Sequence, residues 1–249
     1  MIFNSLLIAN RGEIACRIIK TAKEMGIRSI AVYVDADKDA LFVKEADESV
    51  NLSDGGYLDS KQIINAAKKT GAQAIHPGYG FLSENASFAR KVKKEGIVWV
   101  GPSPNVISVM GDKLKAKELA IKASVPTLPM TSNPNEAKKI GYPLLIKAAA
   151  GGGGKGMRIV EKDKDLKESI SAAQREAKKG FNDDRIFIER YVEKSRHIEI
   201  QILGDSHGNV VHLGERECSI QRRYQKIIEE SPSPRVSDEI RTKMGNAAV

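Results

Sequence analysis

The stretch Pro143-Leu144-Leu145-Ile146-Lys147-Ala148-Ala149-Ala150-Gly151-Gly152-Gly153-Gly154-Lys155-Gly156-Met157-Arg158-Ile159-Val160 decides the fold of the second half of the chain. Leu144 to Ile146 is an apolar run of strand length, and Met157 to Val160 is another. Five of the six residues from 151 to 156 are glycine. Strand, glycine loop, strand predicts a hairpin with a mobile tip. Glycine accepts positive φ and lets the backbone approach a ligand with no Cβ in the way. Successive N–H groups of such a loop can converge on one anion. Lys147, Lys155 and Arg158 add positive charge, so the expectation is a lid over a polyphosphate.

Commoner glycine motifs fit less well. Gly151, Gly153 and Gly156 have the G-x-G-x-x-G spacing, but a dinucleotide fingerprint runs into a helix, and this loop runs into a strand. A P-loop ends in Gly-Lys-Ser/Thr, whereas Gly156 is followed by Met157-Arg158. A kinase glycine loop lies between strands, yet neither His-Arg-Asp nor Asp-Phe-Gly follows downstream. A plain flexible linker is at odds with the flanking strands and the placed cations.

The 249 residues suit one large or two smaller domains, and 41% apolar content is enough for a core. Net charge is +8, of which residues 112–249 carry +6. That excess could serve phosphates, bicarbonate, an acidic partner or nucleic acid. Nucleic acid is disfavoured: most lysines fall on helical faces, and only 5% of residues are aromatic, so no stacking platform is visible. Cys16 and Cys218 are far apart and form no CxxC, which implies neither a disulfide framework nor a zinc site. The apolar patch Leu6 to Ala9 is cut off by Arg11, too short for a signal peptide or a membrane span. A cytoplasmic protein is expected, with no membrane and no nucleic-acid partner.

Residues 1–111 alternate strand and helix. Strands are predicted at Ser5–Ala9, Arg28–Val34, Asp47–Leu52, Ala72–His76 and Ile97–Val100. Helices are predicted from Ile14 to Met25, at Asp59–Thr70 and at Glu84–Glu95. The alternation implies a parallel sheet with helices on both faces. Ligands gather at the carboxyl ends of such strands, where Asn10-Arg11-Gly12-Glu13 and His76-Pro77-Gly78-Tyr79-Gly80 sit. A lone histidine there, His76, is more often structural than catalytic.

Residues 112–249 read as a second unit, with helices at Asp112–Ala123, Asn135–Ile140 and Asp163–Lys179. Arg185–Tyr191 is β-like, and His197 to Leu203 alternates as a half-buried strand should. Asp205 to Asn209 is a turn into a returning strand, Val210–Glu215. Glu217 to Glu230 is dense in charge. Ser237 can cap a last helix with Ile240, Met244 and Ala248 on one face. That helix has no terminal cap and the hairpin pattern stops early, so the chain is expected to be cut short inside a domain.

These motifs together resemble a known family. Ile8 to Ala15, His76 to Asn85, Met110-Gly111-Asp112-Lys113, the Gly151–Arg158 loop and Cys218-Ser219-Ile220-Gln221-Arg222-Arg223 are similar to the biotin carboxylase component of acetyl-CoA, propionyl-CoA and pyruvate carboxylases. The resemblance runs to Val249. It implies an α/β fold: a Rossmann-like pre-ATP-grasp domain at 1–111, followed by an incomplete ATP-grasp (α+β) domain at 112–249. It further implies an ATP-dependent ligase that makes carboxyphosphate from ATP and bicarbonate and carboxylates N1′ of biotin. ATP, Mg²⁺ (or Mn²⁺) and biotin on a carrier are the implied cofactors. A biotin carboxyl carrier protein, a carboxyltransferase subunit and a second copy in a homodimer are the implied partners.

By the same resemblance, Lys113 and Lys147 bind ATP phosphates, and Gly153 and Gly154 close over them. Glu189, Arg190, Tyr191 and Val192 line the adenine, with Met157 packing nearby. His197 contacts the nucleotide. Lys226 holds bicarbonate, with Gln221 and Arg222 close by. Tyr224 stands where the family usually has a histidine, which predicts altered nucleotide affinity. The family's acidic metal ligands, bicarbonate arginine and general base are expected beyond Val249, so this chain alone is expected to turn over little or not at all. Two rivals are a non-catalytic ATP-binding or assembly fragment and another ATP-grasp ligase.

Overall fold

The computed structural model of the chain describes residues 3–53, 55–150, 156–222 and 225–249. These divide into two compact units, Met1–Gly111 and Asp112–Val249.

The first unit runs β1 (Ser5–Ile8), α1 (Gly12–Glu24), β2 (Arg28–Tyr33), α2 (Leu41–Glu45), β3 (Glu48–Asn51), α3 (Ser60–Thr70), β4 (Ala74–His76), α4 (Ala86–Lys94), β5 (Val98–Trp99) and α5 (Pro104–Met110). Its five strands form one parallel sheet in the order β3-β2-β1-β4-β5. Side chains alternate between faces along each strand, and both faces are covered. Leu7, Ile30, Val32 and Ile75 pack under α3 and α4, through Ile63, Ala67, Phe88 and Val92. Leu6, Ile8, Ala31 and Ala74 pack under α1 and α2, through Ala15, Ile19 and Phe42. Two helices depart from expectation. α2 is a five-residue helix whose N-cap makes no side-chain hydrogen bond. α5 starts at Pro104, with Ser103 Oγ accepting the Val106 N–H. That cap and the Pro at the first helical position are a helix-start signal.

The second unit runs α6 (Lys113–Lys122), β6 (Met130–Thr131), α7 (Ala137–Ile140), β7 (Leu144–Ala148), β8 (Arg158–Val160), α8 (Leu166–Phe181), β9 (Ile186–Arg190), β10 (Ile198–Gly204), β11 (Val210–Arg222), β12 (Gln225–Glu230) and α9 (Asp238–Ala248). One antiparallel sheet has the order β6-β9-β7-β8, and a second has the order β10-β11-β12. β7 and β8 pair antiparallel, Leu144 with Val160 and Ile146 with Arg158, as expected of the strands flanking the glycine run; the expected mobile tip, residues 151–155, lies outside the described residues. The returning strand expected at Val210–Glu215 runs on into the charge-dense segment as far as Arg222, and β12 pairs with it antiparallel.

α9 departs from its expected apolar stripe. Ile240 is exposed, and the buried residue is Gly245, where a Cβ would lie 2.5 Å from His212 Nε2. Arg241 Nε reaches the buried Glu215 carboxylate at 2.9 Å. The helix docks by one close approach and one ion pair, which a hydrophobic period does not reveal.

Candidate functional site

In the first unit the two turns at the strand ends are spent on each other. Asn10 Nδ2 donates to the carbonyls of Pro77 (2.8 Å) and Tyr79 (2.7 Å). Gly78 has φ +62°, and a Cβ there would meet Asn10 Nδ2 at 2.7 Å. His76 Nδ1 accepts the Gly78 N–H at 3.0 Å, and burial holds the imidazole below its ordinary pKa. Arg11 makes a two-pronged bond to Asp37, 2.7 Å through Nε and 2.5 Å through Nη2. Tyr57 OH donates to the same carboxylate at 2.6 Å. Burial and that bond push the phenol up to about 12. His76 is thus a turn-setting residue, and these motifs form a structural clasp.

In the second unit chemistry collects on one face of β7 and β9. Register puts Leu144 and Ile146 opposite Arg190 and Ile188, and Leu144, Ile146, Ile186 and Ile188 fill a core with Val160, Leu166 and Ala173. The alternate positions, Leu145, Lys147, Phe187 and Glu189, therefore share the other face. Glu189 is 6% exposed. Its Oε1 pairs with Lys147 Nζ, and its Oε2 receives Lys117 Nζ of α6 at 2.9 Å. Burial alone would raise this carboxyl. The bonds from Lys147 and Lys117 outweigh it and hold Glu189 below the ordinary range.

α6 begins where β7 ends. Asp112 caps it, accepting from Leu114 and Lys115 N–H, and the Lys113 N–H donates to Ala149 O at 3.1 Å. Lys113 Nζ donates to Ala148 O at 3.2 Å. Burial and the charge of Lys147 hold the Lys113 ammonium below its ordinary pKa. Two ammonium groups therefore hold one carboxylate, and a third, Lys113, lies close enough to Lys147 to feel its charge. Such a net positive, partly dry site is complementary to a polyanion.

A cleft of about 530 Å³ opens beside this cluster. Leu145, Lys147, Met157 and Glu189 form one side, and Arg190, Tyr191 and Val192 continue from β9. His197, Ser219 and Gln221 close it from the β10-β11 sheet. Gln221 Nε2 lies 2.8 Å from His197 Nδ1 and donates to Cys218 O at 2.7 Å. The structure thus brings together eight of the residues singled out above: Lys147, Met157, Glu189, Arg190, Tyr191, Val192, His197 and Gln221. Lys113 adjoins them through Ala148 and Lys147. Gly153, Gly154 and Tyr224 lie outside the described residues.

Lys226 and Arg222 lie on the β11-β12 hairpin, and neither lines the cleft. Arg222 pairs with Gln225 in the ladder, and Gln221 with Lys226. Lys226 Nζ bonds the Glu199 carboxylate, which Arg216 Nε also holds at 2.7 Å. That bond raises the Lys226 ammonium above its ordinary pKa. Glu199 and Lys117 escaped the sequence reading. Strand alternation gives Glu199 a face but not a partner, and Lys117 sits on a helix with no buried residue to mark its orientation.

Among the described residues, one group of three could hold a metal: Glu199, Cys218 and Glu229. It does not fit Mg²⁺, which takes a near-octahedral set of oxygens. Burial raises the Cys218 thiol, keeping it protonated, and Arg216 and Lys226 already neutralise Glu199.

Comparison with known proteins gives two adjoining family matches. Residues 2–107 match "Biotin carboxylase, N-terminal domain", and residues 112–249 match "Carbamoyl-phosphate synthase L chain, ATP binding domain". The chain is 53% identical to the mitochondrial methylcrotonoyl-CoA carboxylase subunit alpha of Dictyostelium discoideum, over 98% of this chain and 37% of that protein. It is 52% identical to the propionyl-CoA carboxylase alpha chain of Ruegeria pomeroyi, over 99% and 38%. The chain therefore spans less than two fifths of these relatives. Among solved structures, a biotin carboxylase–βγ-ATP complex from Campylobacter jejuni superposes with TM-score 0.95 at 48% identity, over 99% of this chain and 58% of that one. The biotin carboxylase domain of Hydrogenobacter thermophilus 2-oxoglutarate carboxylase, solved as a dimer with MgADP, ADP and bicarbonate, gives 0.94 at 45%, over 100% and 57%. Among the described residues no helix is long and apolar enough to cross a membrane.

Proposed function

We propose that this chain, which belongs to the carbamoyl-phosphate synthase L chain ATP-binding family and carries a biotin carboxylase N-terminal domain ahead of it, binds ATP in the cleft beside Lys147 and serves the carboxylation of biotin. The carrying observation is that Lys147 and Glu189 line a cleft, with Lys117 holding the second oxygen of Glu189 and Lys113 close to Lys147, so that three ammonium groups stand against one carboxylate. Preorganised cations in a partly dry site stabilise the charge that shifts during phosphoryl transfer.

In the proposed reaction a bicarbonate oxygen attacks the γ-phosphorus and ADP leaves; the carboxyphosphate formed then passes its carboxyl group to N1′ of biotin on a carrier as its bond to phosphate breaks, and the departing inorganic phosphate takes the N1′ proton. Lys113 and Lys147 hold the phosphates, and Gly153 and Gly154 cover them. Met157 packs on the adenine beside Glu189, Arg190, Tyr191 and Val192. His197 contacts the nucleotide, and Tyr224 stands in sequence where the resemblance implies a histidine at the ribose. Lys226, with Gln221 and Arg222, faces bicarbonate, and Glu199 holds Lys226 in place. Mg²⁺ supplies charge neutralisation at the phosphates when bound. Its ligands are not among the groups described above. A biotin carboxyl carrier, a carboxyltransferase subunit and a second copy of the chain are the proposed partners of the whole enzyme. The two free cysteines fit a reducing compartment such as the cytoplasm.

The test is ADP release by the purified chain with ATP, Mg²⁺ and bicarbonate, with and without free biotin, alongside equilibrium binding of ATP. Saturable ATP binding supports the reading, and biotin-stimulated ADP release extends it to turnover. A chain that binds no ATP contradicts it.

A further inference from the structure

We propose that Lys117 is a positioning residue of the ATP cleft, holding one oxygen of Glu189 so that Lys147 keeps positive charge for the anionic end of the ligand. The inference rests on the cleft reading above and deepens it.

Lys147 and Glu189 alone would be a neutral pair. An ammonium whose only near neighbour is a carboxylate offers little to a phosphate. The geometry avoids this by dividing the carboxylate: Oε1 goes to Lys147, and Oε2 goes to Lys117 at 2.9 Å. Lys117 does not itself line the cleft. It reaches Glu189 from α6, with its side chain 14% exposed and its ammonium 5.9 Å from the centre of the Phe187 ring. Phe187 and Glu189 share a face of β9, so the ring and the carboxylate oxygen guide the same ammonium.

With Lys117 present, the carboxylate is offset from behind, and Lys147 faces the cleft with a net positive field to which the nearby Lys113 adds. Without it, Glu189 neutralises Lys147 directly. Ion pairs in a partly dry setting act at low effective dielectric, so one charge a few ångströms behind the site is felt at the ligand. Nothing in the period or spacing of α6 marks this role. It follows from which oxygen each lysine holds.

The test compares Lys117→Met and Lys117→Gln with the unaltered chain, using ATP and adenosine as probes. NMR titration of the Glu189 carboxyl is measured in parallel. Lys117→Met should weaken ATP about tenfold, the size of one charge lost at this effective dielectric, while adenosine binding stays within twofold. Lys117→Gln keeps a donor for Oε2 without the charge, so it should preserve the fold and still weaken ATP selectively. In both variants the Glu189 midpoint should move up. An unchanged Glu189 midpoint, or equal weakening of ATP and adenosine, overturns the proposal and leaves Lys117 a packing residue. If the unaltered chain binds neither probe, the cleft reading itself falls and the proposal falls with it. ATP binding that is indifferent to both variants overturns the Lys117 role alone.

Discussion

Lys147 and Glu189 are diagonal neighbours across the β7–β9 ladder, and their side chains meet as an ion pair on the face away from the core. Lys147 stands opposite Phe187 and Glu189 opposite Leu145, the diagonal relation that long side chains can bridge. Two strands joined by backbone bonds hold this pair, so its geometry is set by sheet register rather than by a loop.

Glu189→Gln removes a buried carboxylate and leaves two lysines facing a neutral amide. Breaking one side of such a pair costs about 3 kcal/mol or more. Urea unfolding at pH 7 should show that loss. The sign with pH follows from the carboxyl being held low in the fold. Its contribution is complete above the ordinary carboxylate pKa and fades as pH falls below it. The variant and the unaltered chain should therefore converge in acid. Equal stability at pH 7 would mean that the cluster holds nothing together.

Gly78 and Gly80 offer a paired test of the clasp in the first unit. Both have positive φ, +62° and +63°, but a Cβ at Gly78 meets Asn10 at 2.7 Å, whereas at Gly80 nothing lies within 4 Å. Gly80→Ala should cost about 1 kcal/mol, the left-handed backbone penalty. Gly78→Ala should cost about 3 kcal/mol, because overpacking adds to that strain. Matching thermal shifts for the two variants would remove Asn10 from the account.

Glu215 and Arg241 predict an acid response local to α9. The Arg241 bond lowers the Glu215 carboxyl to about 2. A depressed carboxyl stabilises the fold above its unfolded value, 4.5, and loses that contribution as pH falls from there toward 2. Amide exchange in α9 should accelerate across that window. Arg241→Met should produce the same loosening at pH 7. An α9 equally protected at pH 3 and pH 7 would contradict the pairing.

Much of this fold is legible in the sequence, and the exceptions share a cause. The β7 hairpin, the alternating first unit and its parallel sheet follow from runs of Leu, Ile and Val punctuated by glycine. Leu144 and Ile146 announce a core face, and Lys147 announces the opposite one. What the pattern cannot announce is a partner distant in sequence. Glu189 and Arg190 are consecutive in sequence, yet strand alternation turns them to opposite faces and register brings Glu189 to Lys147. Lys117 is one of several lysines on a weakly amphipathic helix, and only the docking of α6 singles it out. Glu217 to Glu230 carries so much charge that its strand period is hidden. There the charges pair across strands, as Lys226 does with Glu199. α9 fails as an apolar stripe because Gly245 and Arg241 hold it.

The most direct measurement is calorimetric titration of ATP into the unaltered chain and into Lys147→Met. The account predicts one saturable site in the unaltered chain and a loss of about a hundredfold or more in the variant, since a charge-assisted bond and part of the cleft's field disappear together. Adenosine should bind both chains alike. Equal ATP affinity in the two chains would contradict the claim that the Lys147 cluster is the phosphate site, and no binding to either would remove the cleft from the function altogether.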